Sequence, residues 1–239
     1  MTVSDNFGAE NRVIILKHSR TWTGDRCSGL LEEKGYQVDW CYPMEGEPLP
    51  DPAVYRAAII FGSRDSVNDP EPWIKAEIDW VEHCLKTSCA YLGICFGGQI
   101  LAKVLGAEVA RHENDLTEVG FTDITPNQQA EDFASMPSKL FQWHKEGFEL
   151  PADSTLLCSS DRFTNQAFRY KDNFYSLQFH PEVTQSVIGS WFSTNDDYES
   201  EGLDPVSRKQ QLDYAKQHDD VITDWFSGFL DRWLARWKN

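Results

Sequence analysis

Cys95 stands in the stretch YLGICFGGQ, residues 91–99, with Gly93, Gly97 and Gly98 around it. Glycine weakens strands and helices, so three of them around one thiol point to a backbone that turns sharply or passes close to another segment. A strand that runs directly into a helix through such a turn holds a nucleophile at its tip, as the GxSxG elbow of hydrolases does. Gly93-Ile94-Cys95-Phe96-Gly97 has that form. The helix GQILAKVLG that follows turns the positive end of its dipole toward the sulfur, which favours the thiolate.

A nucleophile of this kind needs a base, and the base needs a group to orient it. The segment SLQFHPEV, residues 176–183, ends an apolar run with His180, Pro181 and Glu182. Residues two apart on an extended chain point to one side, and proline keeps the residue before it extended. His180 and Glu182 are therefore expected to meet, giving a Cys-His-Glu triad in which Cys95 attacks, His180 moves the proton and Glu182 orients the imidazole.

The elements that must position these groups alternate. RVIILK from Arg12, YQVDWCY at 36–42, YRAAIIFG at 55–62 and the run into Cys95 read as strands, while TGDRCSGLLEEKG and the segment beginning DPEPW read as helices. That rhythm implies an α/β fold, a parallel sheet with helices on both faces. Between about 106 and 180, AEVAR, TEVGFTDI, STLLCSS, NQAFRY and FYSLQFH read as short strands forming an antiparallel extension of the same sheet. Residues 194–205 read as a solvated acidic loop, with a cover over the site mouth as the alternative. Ile222, Trp225, Phe226, Phe229, Leu230, Trp233, Leu234 and Trp237 recur at helical steps in an amphipathic C-terminal helix. This helix is expected to dock on the protein's own core, with a partner surface as the alternative. One domain over 1–239 is expected, its core at about 12–192 and the loop and helix at 193–239.

GICFGGQ together with FHPE resembles the class I glutamine amidotransferase domain, whose nucleophile motif is approximately G-[VIL]-C-x-G-x-Q and whose His-x-Glu comes near the domain end. The resemblance runs from about Arg12 to Val183 and on into the following helix, and is strongest to stand-alone relatives of the GMP synthase glutaminase domain. It implies a Rossmann-like mixed sheet flanked by helices and glutamine as substrate, hydrolysed through a γ-glutamyl thioester on Cys95 to glutamate and ammonia. It also implies that the Phe96 N–H supplies half of the oxyanion hole and Gln99 a substrate contact. The family's second oxyanion donor comes from a G-G-P-type loop, which corresponds here to Gly62-Ser63-Arg64, with Ser63 as donor. Ser63 and Arg64 replace the usual Gly-Pro, Asp65 follows, and WHKEGF at 143–148 replaces another pocket segment. Arg64 and Trp143 are accordingly candidate substrate contacts. The altered loop also leaves open a γ-glutamyl peptide or γ-glutamyl amine as the donor. A third reading is a non-enzymatic protein that binds a partner through its Trp-rich helix.

Acidic residues outnumber basic ones 38 to 22, a formal charge of -16, which disfavours nucleic acid and anionic membranes as partners. No basic start with an apolar signal core and no run of about 18 apolar residues is found, so a cytoplasmic protein is expected. The six cysteines form no CxxC pair, and no Cys/His spacing suits a structural metal; no metal and no cofactor is expected. His18, His83, His112, His144 and His218 read as surface groups or supports behind the site, and Asp25, Asp65 and Asp69 as solvated turn residues. Without a GxxxxGK[ST] loop for ATP, use of the ammonia by an acceptor would need a separate synthase subunit.

Overall fold

Runs such as VIIL and AAII carry apolar side chains on both faces, which suits strands covered by helices on either side. In the computed structural model, which describes residues 8–127, 130–133, 135–194 and 205–236, they form the centre of an eight-stranded sheet. The chain passes through β1 (Arg12–Leu16), α1 (Arg26–Glu33), β2 (Gln37–Cys41), β3 (Ala57–Ile60), α2 (Pro72–Cys84), β4 (Ala90–Ile94) and α3 (Phe96–Val104). Five short strands follow: β5 (Val109–Arg111), β6 (Glu118–Asp123), β7 (Thr125–Pro126), β8 (Lys139–His144) and β9 (Glu146–Phe148). β10 (Ser154–Ser159), β11 (Ala167–Tyr170) and β12 (Phe174–Leu177) return to the sheet, and α4 (Gln185–Thr194) and α5 (Pro205–Ala235) close the chain.

The sheet order is β2-β1-β3-β4-β12-β11-β10-β7. β2, β1, β3, β4 and β12 run parallel, and β11, β10 and β7 continue antiparallel. The antiparallel extension is therefore narrower than the sequence implies. AEVAR pairs as β5 with β9, TEVGFTDI pairs as β6 with β8, and each pair stands apart from the main sheet; FYSLQFH enters it parallel to β4. Alternation along β1 sends Val13 and Ile15 to one core with α1 and α5, and Ile14 and Leu16 to the other with α2 and α3.

The amphipathic tail helix docks on its own chain. Ile222, Trp225, Phe226, Phe229, Leu230, Trp233 and Leu234 are buried in the first core, each such side chain contributing about 1.5–3 kcal/mol of burial free energy. Trp233 also donates its ring N–H to the Asn173 carbonyl at 3.0 Å. The acidic stretch at 195–204 and Trp237 lie outside the described residues. Among the described residues no helix is long and apolar enough to cross a membrane.

Candidate active site

Cys95 occupies the junction of β4 and α3 with φ 52 and ψ -107, a left-handed backbone that a residue with a side chain rarely adopts. Two glycines make the turn possible by close approach. A Cβ on Gly93 would lie 2.3 Å from the Gly97 carbonyl carbon, and one on Gly97 would lie 2.2 Å from the Ile60 carbonyl oxygen of β3. The Cys95 N–H is fixed by the Leu177 carbonyl at the end of β12, at 2.7 Å. The elbow is thus held between the two central strands that flank β4.

The segment after β12 carries His180. Beyond Leu177 the chain leaves the ladder, and the His180 N–H donates to the Phe141 carbonyl at 2.8 Å. His180 Nδ1 lies 2.7 Å from Glu182 Oε1, and both residues are buried. Burial opposes a charge on His180, but the Glu182 carboxylate and the Cys95 sulfur outweigh it and raise the pKa from 6.5 to about 10. With Nδ1 committed to Glu182, Nε2 is the nitrogen left for the thiol.

The His-Pro-Glu turn is braced from behind. The Arg26 backbone N–H donates to the Glu182 carbonyl at 2.8 Å, and Arg26 Nη1 donates to the Pro181 carbonyl at 2.8 Å. Arg26 Nη2 in turn reaches Asp219 of α5 at 2.5 Å. Burial lowers the Arg26 pKa against the pull of Asp219 and Glu182, and burial likewise lowers that of Lys17, which feels Asp25 and Glu182. Asp25 is not the solvated turn residue the sequence implies: its largely buried carboxylate caps α1 by accepting from the Ser28 N–H at 2.9 Å.

Phe96 opens α3, where first-turn amides have no intrahelical acceptor. The loop after β3 lies opposite. A Cβ on Gly62 would come within 2.8 Å of His180 Cε1 and 3.6 Å of Cys95 Cβ, which puts Gly62 against both side chains. Ser63 keeps its hydroxyl in the loop, 3.4 Å from Asp65 Oδ2. Arg64 is exposed at the rim.

Cys95, His180, Glu182, Gly62, Ser63, Arg64 and Asp65 line a cleft of about 620 Å³. One wall is aromatic: Trp191 lies 5.2 Å from the His180 ring, 5.6 Å from Trp143 and 5.5 Å from Trp22. Trp143 is half-buried in this wall, both packing residue and cleft lining. Gln99 also lines the cleft, but its amide nitrogen is committed to the Glu146 carbonyl at 3.0 Å and Gln178 Oε1 at 3.2 Å. Only its oxygen remains to face a substrate. Gln178, which the sequence reading passed over, donates to Cys95 Sγ at 3.6 Å. Gln178, His180 and Glu182 share the spacing of two that singled out the last pair, and extending it by one step would have found the third.

His18 and His144 are buried, each paired with a distant carboxylate: His18 with Glu77 at 3.0 Å and His144 with Glu118 at 3.0 Å. His144 Nδ1 meets the Glu146 carbonyl at 2.9 Å, the same oxygen that Gln99 holds. The start of β9 is therefore held from both α3 and β8.

A thiol beside an imidazole and carboxylate, with two backbone segments converging, can perform acyl transfer through a thioester. The class I glutamine amidotransferase family profile matches residues 44–196, a stretch that includes the elbow and the His-Pro-Glu turn. The chain belongs to this family. Among class I amidotransferase relatives it is 30% identical to γ-glutamyl peptidase 4 of Arabidopsis thaliana over 169 residues, which is 66% of this chain and 67% of that protein. It is 26% identical to the glutamine-hydrolysing GMP synthase of Spiroplasma kunkelii over 188 residues, 77% of this chain but 35% of that protein. A glutamine amidotransferase structure from Thermotoga maritima superposes with a TM-score of 0.86 at 28% identity, covering 94% of this chain and 98% of the other. The mixed sheet flanked by helices is thus the class I amidotransferase fold.

The geometry predicts the effect of Glu182→Gln. A raised histidine pKa stabilises the fold fully below about pH 6.5 and loses that contribution as pH rises through about 10. Without the carboxylate, only the Cys95 sulfur still opposes burial, and the His180 titration, followed by NMR, moves down from about 10. The stability gap between wild type and variant is then larger at pH 7 than at pH 10. An unmoved titration would mean that Glu182 does not set the charge on His180.

Proposed function

We propose that this chain hydrolyses a γ-glutamyl amide bond through a thioester on Cys95, with glutamine as the donor in the simplest case. The observation that carries the reading is the strained Cys95 elbow set against the buried His180–Glu182 pair. With the proton of the pair already held on His180, the Cys95 sulfur attacks the γ-carbonyl carbon. The oxyanion is received by the N–H groups of Phe96 and Ser63. His180 gives its proton to the leaving nitrogen, so glutamine releases ammonia. His180 then takes a proton from water, the hydroxide attacks the thioester, and glutamate leaves as the Cys95 sulfur is freed. Glu182 holds the His180 tautomer and charge throughout.

One observation favours a second donor class. The cleft, at about 620 Å³, has room for more than one amino acid, and the exposed Arg64, Arg111 and Lys145 are among the residues that line it. A γ-glutamyl peptide would place its glutamyl group at Cys95 and its free carboxylate toward these cations. γ-Glutamyl peptidases and glutamine-hydrolysing GMP synthases both stand among the relatives, so each donor class has precedent in the family. In the glutaminase case a separate synthase subunit would take the ammonia. Such a division has a parallel in Pyrococcus furiosus, whose glutamine-hydrolysing GMP synthase is named by subunit; the matching one is 32% identical over 114 residues, 46% of this chain and 60% of that protein.

Ammonia release from glutamine, measured beside amine release from γ-glutamyl dipeptides, separates the two. Preference for glutamine supports the glutaminase; a kcat/KM at least about tenfold higher for dipeptides supports the peptidase. Absence of turnover with both, and of any mass shift on Cys95, would sink the enzymatic reading and return the chain to a partner-binding role.

A further inference from the structure

We propose that His18 and Glu77 form a positioning pair that orients the Gly62-Ser63 peptide as an oxyanion donor, an assignment that rests on the thioester reading above. His18 follows β1, Glu77 lies in α2 and Gly62 follows β3, so three separate segments meet here. His18 Nδ1 is 2.9 Å from the Gly62 carbonyl oxygen, and Nε2 is 3.0 Å from Glu77 Oε1. His18 is 7% exposed and Glu77 fully buried, so both interactions are sheltered from water.

The Gly62 carbonyl fixes one proton. A carbonyl only accepts, so Nδ1 carries a proton; a carboxylate facing Nε2 calls for a second. An imidazolium satisfies both neighbours at once. Burial works against that charge, but Glu77, the Gly62 carbonyl and Asp65 together raise the His18 pKa. Among the described residues the second Glu77 oxygen has no hydrogen-bond partner, which makes His18 the group that compensates this carboxylate.

Peptide planarity carries the effect to the site. The Gly62 carbonyl and the Ser63 N–H belong to one trans unit and point in opposite directions. Holding the carbonyl on His18 therefore turns the Ser63 N–H away from His18. A donor on the carbonyl also polarises the unit and strengthens its N–H as a donor. The same ring meets Phe96 edge-on at 5.0 Å and Trp73 at 5.1 Å. One imidazole thus touches both segments that would supply the oxyanion hole, the Gly62 carbonyl directly and the residue after Cys95 through its side chain. Nothing in proton transfer requires either His18 or Glu77, which are positioning residues rather than catalytic ones.

His18→Phe keeps an aromatic ring against Trp73 and Phe96 and removes the donor. Since it leaves Glu77 buried and uncompensated, His18→Phe with Glu77→Leu is the companion variant. We expect kcat on the preferred γ-glutamyl donor to fall about 10- to 100-fold, less than for outright loss of an oxyanion donor, with KM changed by less than about threefold. Alkylation of Cys95 by iodoacetamide needs no oxyanion hole and should keep its wild-type rate. His18→Gln, which can still donate to Gly62, should recover part of the loss. An unchanged kcat in both variants, or alkylation falling in step with kcat, overturns the assignment. If the wild type turns over no γ-glutamyl compound, the thioester reading fails by itself. The amide proton shift of Ser63 then decides the pair: it moves upfield in His18→Phe if His18 polarises the peptide, and an unmoved resonance overturns the proposal.

Discussion

Cys95→Gly is expected to abolish turnover and to raise the unfolding temperature. Removing the proposed nucleophile removes the thioester, a loss of about 10⁴-fold or more in kcat by analogy with nucleophile deletions in other hydrolases. The backbone works in the opposite direction. At φ 52 and ψ -107 a side-chain-bearing residue costs about 1–3 kcal/mol, which glycine largely relieves. Against this stand the lost sulfur contacts and the greater freedom of glycine in the unfolded chain, about 0.5–1 kcal/mol. The net gain should be about 1 kcal/mol, or roughly 2–4 °C for a chain of this size. Cys95→Ala separates the two effects, because it deletes the sulfur and keeps the strain. It should be as inactive as the glycine variant and no more stable than wild type. Thermal unfolding of the three proteins measures the difference, and a glycine variant no more stable than the alanine one would mean that the elbow stores no strain. Turnover by Cys95→Ala at the wild-type rate would remove Cys95 from the mechanism.

The elbow was legible in the sequence because its constraint is local. Gly93 and Gly97 are there to let the chain pass within contact of itself and of β3, and glycine is a visible mark of such contact. The His180–Glu182 pair was legible for the same reason, two residues on one extended segment. The strands β1 to β4 and their helices announced themselves by apolar runs and helical spacing. What the sequence did not show is pairing at a distance. Glu77 lies 59 residues from His18, and Glu118 lies 26 from His144, so no short pattern joins either pair. The short strands failed on the same ground. β5 and β6 have the alternation of strands, but which edge accepts them is decided by packing: β6 lies on β8, and Phe121 from it meets Tyr214 of α5 at 4.6 Å. The brace from Asp219 through Arg26 to the His-Pro-Glu turn spans almost the whole chain and left no local trace.

Gly97→Ala and Gly29→Ala should have opposite signs, although both add one methyl group to a helix. In α1, Gly29 has no heavy atom within 4 Å of the position a Cβ would take, so alanine gains helix propensity at no steric cost. That gain is about 0.5–1 kcal/mol. In α3, the Cβ of residue 97 would sit 2.2 Å from the Ile60 carbonyl oxygen and 2.8 Å from its Cβ. The carbonyl is part of β3 and cannot rotate aside without breaking the ladder, so α3 must move away from the sheet. A loss of about 3 kcal/mol or more is expected, at the upper end of overpacking costs. The movement also reaches the site, because Gly62 is two residues beyond Ile60 and Phe96 immediately precedes Gly97. Displacing α3 from β3 widens the gap between the two expected oxyanion donors, and a misplacement of about 1 Å costs about 10²-fold in rate. Urea unfolding and kcat measured on the same preparations test both consequences. A Gly97→Ala protein as stable as wild type would show that the helix and strand can separate freely, and the close approach would then no longer explain the glycine beside the thiol.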